Sequence, residues 1–213
     1  MEIFTPEIMD PLFWILEQSR GVEQGKEHHP EGDVFTHSLQ AVYCAFRETT
    51  DTDLILAAML HDVGKIARRM GHANESVKLL DCHCSAKTLW LIRNHLRLWN
   101  FMTGEMKKLS KIKGLIEHPW FTPLAHLGRI DKEARSPTRR IAYCKQDIVD
   151  RLNRCVEPHF EPPMQQSGLD RRQEEIREMT PAEVVERTGM KYLDIPGIVW
   201  FSGDSNRMYR KIP

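Results

Sequence analysis

Residues 54–65 read LILAAMLHDVGK. The apolar residues at 54–60 form the most apolar segment of the chain and predict a buried helix. That segment ends directly on His61-Asp62. Two ionisable side chains at the end of such a helix are costly to bury unless they are paired or coordinated. A divalent cation removes that cost and brings the pKa of a bound water toward neutrality. Consecutive helical residues point about 100° apart, so the pair can share one ion only near a helix terminus or with the ion beside the backbone. Val63-Gly64 is compatible with such an ending. Lys65 lies four residues after His61, on the same face if the helix continues, where an ammonium can hold a phosphate oxygen.

Outward from this segment the pattern is helical. Thr5-Pro6-Glu7 is a helix start, with Ile8, Leu12, Ile15 and Leu16 as its apolar face. The polar stretch at 21–32 reads as a connection. Helices are expected at 35–48, with Leu39, Val42, Ala45 and Phe46 facing inward, and at 74–80, 86–99 and 124–134. Ser136-Pro137 predicts another start, for a helix reaching about residue 154. Strand candidates are nearly absent before residue 195. Pro158, Pro162, Pro163 and Gly168 mark a linker. The expected organisation is therefore an all-α helical bundle at 1–156 and a linker with a small extension at 157–213. In the extension, Thr180-Pro181-Ala182-Glu183 has capping-box spacing and opens a short helix ending near Gly189. Residues 198–201 and 207–212 have a β-hairpin pattern. No chemistry is read in the extension.

The 213 residues carry 30 basic and 30 acidic side chains, which excludes a general nucleic-acid coat role. A zero sum still allows a local patch for a phosphorylated small molecule or one RNA end. The five cysteines are odd in number and lack CxxC spacing, so they read as reduced thiols of a cytoplasmic protein. Cys82-His83-Cys84 lacks the second knuckle of a structural zinc site. No signal peptide is visible, and no run approaches the ~20 apolar residues of a membrane span.

The ten histidines are more informative. His37, His61-Asp62, His72, His95 and Asp131 each fall at an expected helix end or on an apolar helical face. Imidazole with carboxylate suits a divalent ion such as Mn²⁺, Fe²⁺, Ni²⁺, Co²⁺, Zn²⁺ or Mg²⁺. The absence of cysteine among them favours an open catalytic site. Single histidines in helices are more often packed residues than ligands, so spacing alone leaves both readings open. Lys107, Lys108, Lys111 and Lys113 read as a solvated face, or alternatively as a phosphate-steering rim with Arg129 and Arg135. Trp90 and Trp99 read as core. His28, His83, His118, His126 and His159 are not assigned to the site.

These motifs resemble the HD superfamily of metal-dependent phosphohydrolases, in which a histidine, a His-Asp doublet closing an apolar helix and a later aspartate recur in that order. The similarity is greatest to the HD domain attached to bacterial tRNA nucleotidyltransferases (CCA-adding enzymes) and their poly(A) polymerase relatives. It rests on HHPEGDVFTHSLQAV (28–42), LAAMLHDVGKIA (56–67), GHANESVKLL (71–80), LIRNHLRLW (91–99) and HPWFTPLAHLGRIDKEAR (118–135). The resemblance implies an all-α fold with a divalent ion between helices, held by His37, His61, Asp62 and Asp131. His72 and His95 match positions that bind a second metal or the substrate phosphate. Lys65 matches the lysine after the doublet, acting with Asp62 in catalysis. His29 and Glu31 are expected near the site mouth, as substrate-binding residues.

The implied reaction is hydrolysis of a phosphoester by metal-activated water, on nucleotides, 2′,3′-cyclic nucleotides or RNA ends. Two other readings stay open: a di-iron oxygenase using the extra histidines, and a non-catalytic RNA- or protein-binding module. Ser76 stands where such relatives often have glycine. The nucleotidyltransferase head is absent, and Asp51-Thr52-Asp53 reads as helix capping, so nucleotide addition is not expected.

Overall fold

Pro6 at the first helical position and Thr5 before it open α1, Pro6–Glu17. Its inward residues are Met9, Leu12, Ile15 and Leu16, while Ile8 is exposed. The expected face is thus turned by one position: Met9, Leu12 and Leu16 make the i, i+3, i+7 stripe, and Ile8 does not join it. The computed structural model describes residues 3–158 and, further on, the backbone of three short strands. The helix expected at 180–189 lies outside the described residues.

Asp33 caps α2, Val34–Glu48, by accepting from the Thr36 amide at 2.7 Å. Asp51 caps α3, Thr52–Leu60, through the Leu54 amide at 3.3 Å, which is the capping role expected of it. All seven residues at 54–60 are buried. The α-helix stops at Leu60 and is followed by a 3₁₀ turn, Val63–Ile66, so the chain does not continue as one helix to Lys65. Gly71, at φ +73°, makes the left-handed step into α4, His72–Leu80. Then follow α5, Ala86–Met102; α6, Leu109–Ile116; α7, Phe121–Glu133; and α8, Lys145–Cys155. The fold that carries the site is all-α.

Two compact units share these elements. The first contains the chain up to Leu98 and from Leu115 through α8. Within it α3 packs on α2 and α7, and the 3₁₀ turn packs on α4. The second contains Trp99–Gly114 and the strands. There β1, Asp194–Ile195, pairs antiparallel with β2, Ile198–Phe201, which pairs antiparallel with β3, Met208–Lys211. The β2–β3 pairing matches the hairpin pattern of the sequence. Lys107, Lys108, Lys111 and Lys113 are exposed, as a solvated face requires.

No helix begins at Ser136-Pro137. The Gln40 amide donates to the carbonyls of Ser136 and Arg139 at 2.9 and 3.0 Å and accepts from the Ser136 amide at 3.0 Å. Backbone groups that a helix would pair internally are thereby tied to α2. The helix starts only after Cys144, whose amide donates to Asp147 at 2.7 Å.

The contact of α4 with the 3₁₀ turn depends on two small residues. A Cβ on Gly64 would lie 2.1 Å from the His72 carbonyl oxygen and 2.4 Å from the Ser76 amide. Ser76 Oγ accepts from the Gly64 amide at 2.8 Å and donates to the His61 carbonyl at 2.9 Å. Serine at this position therefore ties α4 to the backbone of the His-Asp segment.

Candidate metal centre

His61 is the residue closing α3, and Asp62 leads into the 3₁₀ turn. This break in the helix lets adjacent side chains turn toward one place. His61 Nδ1 lies 3.0 Å from the Ala58 carbonyl oxygen. A carbonyl only accepts, so Nδ1 carries the proton and the lone pair is on Nε2. That Nε2 is buried without a hydrogen-bond partner, 3.5 Å from Asp62 Oδ2 and 3.8 Å from Asp131 Oδ1.

The same device recurs twice. His72 Nδ1 is 2.7 Å from the Arg69 carbonyl oxygen, and His95 Nδ1 is 2.6 Å from that of Ile92. Their Nε2 atoms face each other at 3.2 Å, and that of His72 is 2.9 Å from Asp62 Oδ1. With both Nδ1 protons engaged, two lone pairs converge there, an arrangement that a proton or a cation relieves. Backbone carbonyls that fix imidazole tautomers in this way are the usual support of metal-ligating histidines.

His37, in the first turns of α2, is fully buried. Its Nε2 is 3.0 Å from Asp131 Oδ1 and its Nδ1 is 2.7 Å from Glu31 Oε1. The buried ring is thus held between two carboxylates, one at each nitrogen. Asp131, on α7, is gripped by Arg135 one turn later at 3.1 and 3.0 Å. Asp62 Oδ2 accepts from Lys65 Nζ at 2.6 Å, and Lys65 also donates to Gln24 Oε1.

Burial pushes the Asp62 carboxyl upward, but His61, His72 and Lys65 overcome it and hold the group well below the usual carboxylate range. Asp131 is held low in the same way by His37, His61 and Arg135 against its burial. Burial opposes the charging of His37, yet Asp131 and Glu31 hold its pKa up to about 9. Burial lowers His95 to about 3. Glu31 is held down to about 2, because His29 and His37 outweigh its burial.

The structure thus brings together His37, His61, Asp62, His72, His95 and Asp131, with Lys65 beside Asp62. Ligand atoms of His37, His61 and Asp62 lie within 4.8 Å of one another, and so do those of Asp62, His72 and His95. A third such group is His29, Glu31 and His37. These buried nitrogen and carboxylate donors, with no thiolate among them, fit a borderline or hard divalent cation. Asp62 belongs to two of the groups.

Glu31 does not lie at the site mouth: its side chain is fully buried against His37, whereas His29 keeps 13% of its side chain exposed. Arg129 is not a rim cation, since its guanidinium meets Glu48 at 2.5 Å. Arg135 holds Asp131 rather than lining a rim, a role that its i+4 spacing on a helix could have signalled. His126 pairs with Glu48 at 2.9 Å, and His118 stacks on Trp90 with centroids 3.8 Å apart, so neither joins the centre. Trp90 is half-buried in that stack. Gln24 had no sequence signal at all.

The model of the HD domain family matches residues 34–184. The chain is 34% identical over 76 residues to a "Multifunctional CCA protein" of Cupriavidus pinatubonensis, a stretch covering 32% of this chain and 18% of that protein. It is 39% identical over 79 residues to the "Multifunctional CCA protein" of Halorhodospira halophila, covering 34% and 17%. A third, from Thioalkalivibrio sulfidiphilus, is 34% identical over 80 residues, covering 34% and 20%. The match thus spans a fifth or less of the length of these relatives. No solved structure matches the chain significantly. Among the described residues no helix is long and apolar enough to cross a membrane.

Proposed function

The chain belongs to the HD domain family, and from that premise we propose that it is a metal-dependent phosphohydrolase. His37, His61, Asp62 and Asp131 would hold the cation, and His72 and His95 would bind the substrate phosphate or, with Asp62, a second cation. The observation that carries this reading is the set of buried imidazole nitrogens, fixed by backbone carbonyls and left facing two carboxylates. When bound, a divalent ion supplies Lewis-acid activation of water and offsets charge on phosphoryl oxygens.

The protein side chains contribute the rest. Asp62 accepts the proton of the attacking water. Lys65, anchored on Asp62, presents positive charge to the non-bridging oxygens. His29, oriented by Glu31 at 2.9 Å, turns its exposed edge to the substrate. The similarity to multifunctional CCA proteins favours nucleotides, 2′,3′-cyclic nucleotides or RNA ends as substrates. Residues 1–156 form the catalytic domain in this reading, with 157–213 as an extension. The free cysteines suit a cytoplasmic location. A second reading, a di-iron oxygenase, is favoured by one observation: two ligand groups share Asp62.

Nucleoside monophosphates, 2′,3′-cyclic nucleotides, a short RNA and an aryl phosphodiester are each incubated with Mg²⁺, Mn²⁺, Ni²⁺ and Co²⁺. Hydrolysis of at least one phosphoester, dependent on the ion and stopped by a chelator, is expected. Inertness of every combination, with a ferric or mixed-valence absorbance in the iron-loaded protein, would shift the assignment to the oxygenase.

A further inference from the structure

Gln24 lies in the connection between α1 and α2, and that connection is pinned. The Gln24 amide donates to the Gly32 carbonyl at 3.0 Å, the Val34 amide to the Val22 carbonyl at 3.1 Å, and the Gly21 amide to Asp33 Oδ2 at 2.8 Å. The backbone at Glu23 pairs with that at Asp33 as an isolated antiparallel bridge. A side chain carried by this segment has a fixed origin, and Gln24 is only 7% exposed.

The orientation of its amide is chemically determined. Lys65 Nζ meets the Gln24 oxygen, and an ammonium has no lone pair to offer an NH₂ group. The carbonyl end must therefore face Lys65, which leaves Nε2 pointing elsewhere. That Nε2 is buried and has no hydrogen-bond partner. Lys65 in turn spends two of its three protons, on Gln24 and on Asp62 Oδ2 at 2.6 Å. Beside the candidate metal centre, Gln24 Nε2 is thus a buried donor without an acceptor, next to an ammonium with one proton left over. A buried amide N–H without an acceptor is costly to the folded protein, and such cost persists where a ligand relieves it.

We infer that Gln24 is a substrate-binding residue, whose NH₂ group donates to a phosphoryl oxygen of the substrate alongside Lys65. The inference rests on the phosphohydrolase reading and adds a recognition element to it. The pair accepts an oxyanion and rejects ligand groups that only donate. The hydrogen bond described for the Gln24 side chain goes to Lys65, which is not among the residues read as cation ligands, so metal binding is expected to survive its loss.

The test uses the full chain loaded with Mn²⁺ and titrated calorimetrically with inorganic phosphate, comparing the parent with Gln24→Glu and Gln24→Met. Glutamate keeps an acceptor for Lys65 and removes the donor; methionine removes both while keeping the volume. Mn²⁺ affinity and unfolding temperature are expected to stay at the parental level or higher in both. Phosphate affinity is expected to fall by about 10-fold in Gln24→Met and by about 100-fold in Gln24→Glu, the loss of a hydrogen bond to a charged group with repulsion added in the second case. Parental phosphate affinity in Gln24→Met, which lacks the donor and adds no charge, overturns the inference while sparing the hydrolase. A parent that takes up no Mn²⁺, or takes it up and binds no phosphate, overturns both.

Discussion

Asp62→Ala is expected to remove divalent-cation binding and phosphoester hydrolysis together while leaving the far-ultraviolet circular dichroism of the protein intact. Asp62 is the one side chain shared by the His37–His61 group and the His72–His95 group. Its two oxygens are divided between them: Oδ1 lies 2.9 Å from His72 Nε2, and Oδ2 lies 3.5 Å from His61 Nε2. Alanine takes away a ligand and a buried negative charge, leaving Lys65 as an uncompensated cation beside the imidazoles. Outer-shell partners of metal ligands are worth about 10- to 100-fold in affinity or activity, so loss of a direct ligand costs at least about 100-fold. The helical content survives because α3 ends two residues earlier and keeps its Asp51 cap. Calorimetry with Mn²⁺ and turnover of any phosphoester accepted by the parent check both halves. Parental turnover by Asp62→Ala would mean that the reaction centre lies elsewhere.

Among the glycines whose surroundings are described, Gly64 is the one where alanine is expected to be most destabilising. The new Cβ would sit 2.1 Å from the His72 carbonyl oxygen, 2.4 Å from the Ser76 amide and 2.8 Å from Ser76 Oγ. Two of these atoms are backbone, so relief requires α4 to move away from the 3₁₀ turn. That movement breaks the 2.8 Å and 2.9 Å bonds by which Ser76 ties Gly64 and the His61 carbonyl, and it carries His72 out of the centre. Overpacking of this kind costs about 3 kcal/mol, which lowers the unfolding temperature by roughly 6–12 °C in a chain of this size. Gly25→Ala is the control: nothing lies within 4 Å of its added Cβ, and its effect should stay within about 0.5 kcal/mol. Equal unfolding temperatures for the two variants would contradict the packing described here.

Much of the candidate metal centre was legible because it is written in local terms. An apolar run predicts burial without a partner being named, and an adjacent His-Asp pair can converge only where a helix ends, which is where α3 does end. His72 at the start of α4 and Asp131 on the buried face of α7 carry similar local signals. The misreadings share a cause: a distant partner decided the outcome. The start of α8 moved from Pro137 to Lys145 because Gln40, 96 residues before Ser136, binds the intervening backbone. Gln24 was invisible because its meaning comes from Lys65, 41 residues away. Glu31 was placed near the site by its motif, but its burial depends on the His37 ring it faces. The shift from Ile8 to Met9 on α1 is a choice between two apolar neighbours that only packing makes.

In the proposed function one cation is held by side chains from three helices and the turn after α3. A crystal of the full chain grown with Mn²⁺, with anomalous diffraction recorded above and below the manganese edge, tests it most directly. An anomalous peak is expected within coordination distance of His37 Nε2, His61 Nε2, and the carboxylates of Asp62 and Asp131. Manganese bound at other side chains, or no peak among these four at saturating Mn²⁺, would contradict it.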